Sequence, residues 1–398
     1  MKKFIAFIVV FFVLLALTGT FVGGVVVGHV LSNKQSATAV PPNSNNPSDL
    51  GPINEIMTEI SHGYVDKIGR QKLVDGAVNG MIKTLGDPYT RRLKQSAYSD
   101  FETQTSGRFG GVGMELGMKD NKITVVAPIK GTPADRAGAQ TGDRIVKIDS
   151  KETTGMALEQ AVKLIRGDIG TKVTLTFVRN GGKPFTKALT REQIKMPNVS
   201  SKVLNNDIGY IQMLAFNSDT GRDVSQEMNA LKTKKVKGMI VDLRNNPGGL
   251  LTEAISLSSL FIKSGPIVKV KSRTGKIETF TANNGADDKI PLVVLVNRGS
   301  ASASEIFAGA IQDTGRGVIV GEKSFGKGSV QTVIPLNDGS ALIMTTAKYL
   351  TPKNRLLSKV GVMPDVVIKL PMKDFHKVGT ASDVQLNKAK EVLRGLID

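Results

Sequence analysis

Three serines stand close together at Ser300, Ser302 and Ser304, within NRGSASASEIFAGA from Asn297 to Ala310. The apolar run Leu292 to Val296 before them reads as a buried strand, and a helical pattern starts near Ala303. A strand–turn–helix junction exposes a side chain at the strand end and aims backbone N–H groups at one point. Both properties suit a nucleophile whose product is an oxyanion. The same residues also fit a plain helix start. Ser302-Ala303-Ser304-Glu305 has capping-box spacing, with Glu305 reaching back, and Ser300 and Ser304 can serve as turn residues. On this stretch alone, capping is the commoner use.

A serine nucleophile needs a base. The chain has three histidines: His29 lies in an apolar N-terminal run, and His62 and His376 lie in terminal segments outside the α/β core. A lysine can act instead if loss of water lowers its pKa by about 3 units from its reference near 10.4. Lys327 is flanked by Gly326 and Gly328 and has Phe325 for apolar cover, whereas its competitor Lys323 sits beside Glu322, which favours the charged form.

Other chemistries find little support. The 398 residues contain no cysteine, which removes disulfides, thiolate nucleophiles and thiolate metal sites. The histidines lack zinc-helix spacing, and there is no P-loop, so neither metal nor nucleotide cofactor is expected. A formal charge of +18 without zinc-finger, RNA-binding or long Lys/Arg motifs points to an anionic membrane or wall surface rather than nucleic acid. Lys2 and Lys3 precede an uncharged run from Phe4 to Val30, longer than the about 20 residues a spanning helix needs. The expectation is an uncleaved single-pass anchor with the catalytic domain on the extracellular side. Ala37-Thr38-Ala39 lies far beyond the apolar run for a cleavage site.

These residues need a scaffold, and the chain supplies a legible one. Residues 1–31 form the expected anchor and 32–51 a Ser/Asn/Pro-rich tether. Helical spacing fills 52–100, interrupted by a turn at Gly86-Asp87-Pro88. From 101 to 190, short strands and two helices with glycine punctuation form one small domain. Strands and helices then alternate through 191–372 as α/β organisation, and 373–398 ends in a helix with Ser382 and Gln385 in capping-box spacing.

Several motifs fall together in order: Gly86-Asp87-Pro88-Tyr89-Thr90, the small glycine-punctuated domain, Asp242-Leu243-Arg244-Asn245-Asn246-Pro247-Gly248-Gly249, the serine cluster, and Gly326-Lys327-Gly328-Ser329-Val330-Gln331. Asp338 to Leu342, Tyr349 to Pro352 and Gly361 to Asp365 complete the series. In these the chain resembles the carboxyl-terminal processing, or tail-specific, proteases from about Ile53 to Leu370. Lys353-Asn354-Arg355 departs from the Gly-Arg turn frequent in that family.

The resemblance implies an α/β (α+β) protease core with an inserted PDZ domain and helical N- and C-terminal segments. It implies a serine endopeptidase with Ser302 as nucleophile, Lys327 as general base and Gln331 orienting the lysine, with Gly248 and Ala303 N–H groups as oxyanion hole. Phe109-Gly110-Gly111-Val112-Gly113-Met114 matches the PDZ loop that captures a C-terminal carboxylate, and Arg166 is the candidate sensor of docking. The expected partners are proteins or peptides with exposed C-termini. Apolar stripes on the terminal helices allow either a homodimer or packing on the core. The rival class is a non-catalytic, membrane-tethered PDZ adaptor.

Overall fold

The computed structural model describes residues 50–283, 286 and 289–397. The run Phe4 to Val30, the Ala37 triplet and nearly all of the tether lie outside the described residues. The longest helices described have 14 residues, about 21 Å at 1.5 Å per residue against a hydrocarbon core of about 30 Å. Among the described residues no helix is long and apolar enough to cross a membrane. The single-pass anchor and the extracellular placement drawn from it are corrected accordingly.

The chain begins with α1 (Gly51–Gly63) and α2 (Arg70–Lys83), followed by β1 (Arg91–Leu93) and α3 (Gln95–Ser106). Neither α1 nor α2 contains a buried residue. Sequence spacing suggests helix around a single turn here, but three residues form a strand instead. β1 is too short to carry a period of its own and exists because it pairs with a distant strand.

Residues Glu102–Pro197 form a compact unit of their own. Strands β2 (Arg108–Gly111) and β9 (Glu192–Lys195) pair at its two chain ends. Between them β3 (Met114–Lys119), β4 (Lys122–Pro128), β5 (Arg144–Ile148), β6 (Lys151–Glu152), β7 (Lys172–Val178) and β8 (Phe185–Thr190) build one antiparallel sheet. A single turn α4 (Pro133–Arg136) and helix α5 (Leu158–Ile165) accompany it. Leu158, Ala161 and Ile165 of α5 share a core with Ile123, Val125, Val173 and Leu175.

The second unit combines the described residues up to Phe101 with those from Asn198 onward. It contains β10 (Val199–Leu204), β11 (Ile208–Met213), α6 (Thr220–Thr233), β12 (Gly238–Asp242), α7 (Leu251–Ser259), β13 (Pro266–Ser272) and β14 (Ile277–Thr281). It continues with β15 (Leu292–Val296), α8 (Ala303–Asp313), β16 (Val318–Gly321), β17 (Ser329–Pro335), β18 (Ala341–Leu350), β19 (Val366–Val367) and α9 (Val384–Ile397). The main sheet runs β10-β11-β12-β15-β16-β19 and is parallel from β11 onward. Every residue of β12 and β15 is buried, as strands covered on both faces require. Helices α6, α7 and α8 cover one face. Leu386, Ala389 and Leu393 of α9 cover the other, so its apolar stripe packs on the core. A second sheet joins β1, β18, β13 and β14, with β17 also on β18.

The start of α9 corrects a detail of the sequence reading. Asp383, not Ser382, accepts the N–H groups of Gln385 and Leu386 through Oδ1, at 3.1 and 3.0 Å. A carboxylate also serves a second purpose there. The buried Arg244 guanidinium bonds both oxygens of Asp242 and both of Asp383, and donates to Gln385 Oε1 as well. Arg244 begins the Asn-Asn-Pro-Gly-Gly turn after β12, so the terminal helix is tied directly to that turn. Removing Asp383 leaves Arg244 paired with Asp242 but deletes two buried bonds to the guanidinium and the acceptor for the first N–H groups of α9. That is a loss of about 2 to 5 kcal/mol at about 1 to 3 per unsatisfied buried donor, against about 0 to 1 for an exposed pair. Chemical denaturation is expected to show such a loss for Asp383→Ala, and almost none for Glu391→Ala in the exposed Lys388–Glu391 pair.

Candidate active site

Two strands end side by side in the parallel sheet, β12 at Asp242 and β15 at Val296, and the turns after them are stitched together. Asn297 Oδ1 accepts the N–H groups of Asn245 and Gly299, each at 2.9 Å, and Asn297 Nδ2 donates to Asn245 Oδ1. Ser300 Oγ accepts from Asn297 N and donates to Leu243 O. Ser304 Oγ donates to Asn246 O at 2.9 Å. Ser300 and Ser304 are thus fully used in joining the two turns.

Ser302 differs from both. It holds φ 54° and ψ −113°, a conformation in which a Cβ-bearing residue is strained by roughly 1 to 3 kcal/mol. Its Oγ is buried and has no hydrogen-bond partner, so it neither caps α8 nor bonds Lys327 Nζ. Only the Glu305 half of the capping box closes: Ser302 N–H donates to Glu305 Oε2 at 2.9 Å. An orphaned hydroxyl on strained backbone at a helix start is poorly explained by capping.

Glu305 does far more than reach back. The same Oε2 accepts the N–H of Lys327 at 2.8 Å, while Oε1 accepts Gly326 N–H at 2.7 Å and the Ser324 hydroxyl. One fully buried carboxylate therefore holds the backbones of both Ser302 and Lys327. Burial pushes its pKa up, and these four bonds oppose that rise.

Lys327 is almost completely buried, whereas Lys323 is exposed. Burial lowers the Lys327 pKa to about 7, helped by the positive charge of Arg91 and opposed by Glu305 and Asp87. Its Nζ lies 5.1 Å from the ring centroid of Tyr89. Gln331, buried on β17, donates from Nε2 to Ser329 Oγ and Thr345 Oγ1 at 3.1 and 2.9 Å, which turns its carbonyl oxygen away from those hydroxyls. His62 and His376 are exposed, and no group of acidic and histidine side chains among the described residues forms a metal site.

The structure also brings Gly248 and Ala303 to Ser302. A Cβ added to Gly248 (φ +95°) would lie 2.5 Å from Ala301 O, 2.7 Å from Ala303 N and 2.8 Å from Ser302 Cβ. Only glycine fits there. The Gly248 N–H, however, donates to Asn246 Oδ1 at 2.9 Å rather than standing open.

In the smaller unit, the six residues expected to form one loop divide. Phe109, Gly110 and Gly111 belong to β2 and pair with β9, leaving Val112, Gly113 and Met114 at the turn into β3. Gly113 has φ +75° and packs on Thr132, where a Cβ would approach within 2.3 Å. The Arg166 guanidinium stacks 4.1 Å from the Phe109 ring centroid.

Comparisons with known proteins bear on the family. The family described as Peptidase family S41 matches residues 207–368, a PDZ domain matches 124–179, and the activating protease CtpB N-terminal domain matches 13–103. A carboxy-terminal-processing protease of Bartonella bacilliformis is 40% identical over 384 residues, covering 95% of this chain and 87% of that protein. The carboxy-terminal processing protease CtpA of Bacillus subtilis is 39% identical over 336 residues, covering 84% and 72%. The chain belongs to the carboxy-terminal processing protease family. As such it is a serine-type peptidase carrying a PDZ domain, and the adaptor alternative falls.

For a carboxy-terminal processing protease, the relation of three residues to Lys327 escapes a reading by motif alone. Glu305 looks like an ordinary cap residue, and its grip on the lysine loop, 22 positions away, is visible only in three dimensions. Tyr89 and Arg91 come from the N-terminal segment, with no local cue that it reaches Lys327. Glu305→Gln would replace one acceptor oxygen by an amide donor and leave at least one N–H pair facing it. At about 1 to 3 kcal/mol per unpaired buried donor, chemical denaturation is expected to report a loss of roughly 2 to 5 kcal/mol, accompanied by loss of proteolysis.

Proposed function

We infer that this protease cuts proteins recognised by their C-terminal tails, with Ser302 as nucleophile and Lys327 as general base. The observation that carries this reading is that one buried carboxylate, Glu305, holds the backbones of both Ser302, whose buried Oγ is unpartnered, and Lys327, whose pKa is brought to about 7. A neutral amine at working pH accepts the Ser302 proton as Oγ attacks the scissile carbonyl, then returns it to the leaving amine, and water hydrolyses the acyl-enzyme. Gln331 has its Nε2 committed to Ser329 and Thr345, so its carbonyl oxygen can hold an N–H of the neutral lysine without charging it.

The oxyanion is assigned to the N–H groups of Gly248 and Ala303. The close packing of Gly248 on Ser302 supports this, and the Gly248 N–H must exchange its bond to Asn246 Oδ1 for the substrate oxygen. The tail carboxylate is assigned to the Val112-Gly113-Met114 turn, with the peptide adding as a strand to the PDZ sheet. Phe109, Gly110, Gly111 and Arg166 support that turn from β2 and from the end of α5, and stacking of Arg166 on Phe109 steadies the turn's approach.

Cleavage of an unstructured protein with an apolar C-terminus tests both halves. Ser302→Ala and Lys327→Ala are each expected to abolish cleavage while leaving tail binding intact. For the wild-type protein the base must be deprotonated, so kcat/KM rises with pH through about 7 and levels above it. A profile that still climbs steeply towards the reference lysine range would show that Lys327 is not the titrating base. Turnover of small esters without tail dependence would instead favour a general acyl hydrolase.

A further inference from the structure

The motif Gly86-Asp87-Pro88-Tyr89-Thr90 contributes nothing to the nucleophile, the base or the oxyanion donors, yet it is fastened against the base. Asp87 accepts the Tyr89 N–H at 3.1 Å and the Thr90 hydroxyl at 2.5 Å, closing the turn on itself. Thr90 Oγ1 then accepts the N–H of Thr345 at 3.1 Å. Thr345 is the residue whose hydroxyl accepts from Gln331, so the turn is clamped to the strand pair that carries the lysine's partner. Immediately afterwards β1 pairs with β18, Arg91 opposite Ile343, fixing the direction in which the turn leaves. The half-buried Tyr89 is thereby held with its ring 5.1 Å from Lys327 Nζ.

We propose that Tyr89 is a positioning residue of the general base: its ring covers Lys327 Nζ and stabilises the ammonium that forms when the lysine takes the Ser302 proton. This rests on the reading of Lys327 as base. An apolar wall alone would favour only the neutral amine. A π face adds attraction for the cation once it exists, so the ring acts on the charged side of the proton transfer. The charged groups acting on Lys327 come from separate elements. Arg91 on β1 disfavours the ammonium, and Glu305 on α8 and Asp87 in the turn itself favour it. Tyr89 is the uncharged member of that surround.

The test compares Tyr89→Phe, Tyr89→Leu and Lys327→Ala in the full chain, following kcat and KM against pH on an unstructured reporter polypeptide with an apolar C-terminus. Phe keeps the π face and is expected to stay within about twofold of wild type. Leu keeps apolar cover without the π face. Its kcat is expected to fall roughly 2- to 30-fold with KM unchanged, and its acid limb to move to lower pH, because the ammonium has lost a stabilising partner. Should Leu fail to fold, as judged by thermal melting, Tyr89→Met supplies the same contrast. A Leu or Met variant with wild-type kcat and an unmoved acid limb would overturn the proposal. Equal losses in Phe and Leu with the limb unmoved would also overturn it, because they would assign the effect to the Tyr89 hydroxyl rather than to the ring face. Activity surviving in Lys327→Ala would instead remove the base reading beneath it, a separately recognisable result.

Discussion

The site depends on one buried carboxylate. Glu305 has no contact with solvent, and an isolated charge there would be strongly disfavoured. It is tolerated because four donors converge on its two oxygens: the N–H groups of Ser302, Gly326 and Lys327 and the Ser324 hydroxyl. The same four bonds define where Ser302 and the lysine loop stand relative to each other. Ser302 can keep its strained backbone because its neighbours on both sides are pinned, Ser300 to Leu243 and Ser304 to Asn246. Strain persists only where the surroundings over-determine it.

The electrostatics follow from that geometry. Lowering a lysine from 10.5 to about 7 corresponds to roughly 5 kcal/mol against the charged form, at about 1.4 kcal/mol per unit. Burial supplies most of it and Arg91 adds to it. Glu305 pulls the other way, which shows that its value to the site is not electrostatic tuning towards neutrality. Its negative charge is spent on backbone N–H groups, and the lysine side chain lies where desolvation outweighs it.

Much of this was legible from residue types. The buried runs Gly238–Asp242 and Leu292–Val296 announce strands covered on both faces, and the glycines around Lys327 announce close backbone approach. What stayed hidden depends on contacts between distant segments. Ser302-Ala303-Ser304-Glu305 reads as a capping box because Glu305 does reach back, but the periodicity carries no sign that Ser302 Oγ is left unpaired. β1 has three residues and a partner some 250 positions away, so no local pattern could reveal it. Asp383 is chosen over Ser382 as the cap of α9 because Arg244 needs a second carboxylate, a demand that arises 139 positions earlier. The anchor rests on an uncharged apolar run and its flanking lysines in a segment outside the described residues, and nothing among the described helices takes it up.

The bond between Gly248 N–H and Asn246 Oδ1 bears on why such a site would react selectively. If Gly248 serves as the proposed oxyanion donor, a ground-state carbonyl must displace an amide oxygen of comparable strength, so binding substrate gains little from the exchange. The tetrahedral oxyanion is different. A charge-assisted bond is roughly twice as strong as the neutral one it replaces, so the exchange becomes favourable only as charge develops. The occupied donor thereby shifts stabilisation from the bound substrate to the transition state, where it raises kcat rather than lowering KM. If Ser302 is the proposed nucleophile, its unpaired Oγ has no hydrogen bond to break before attack.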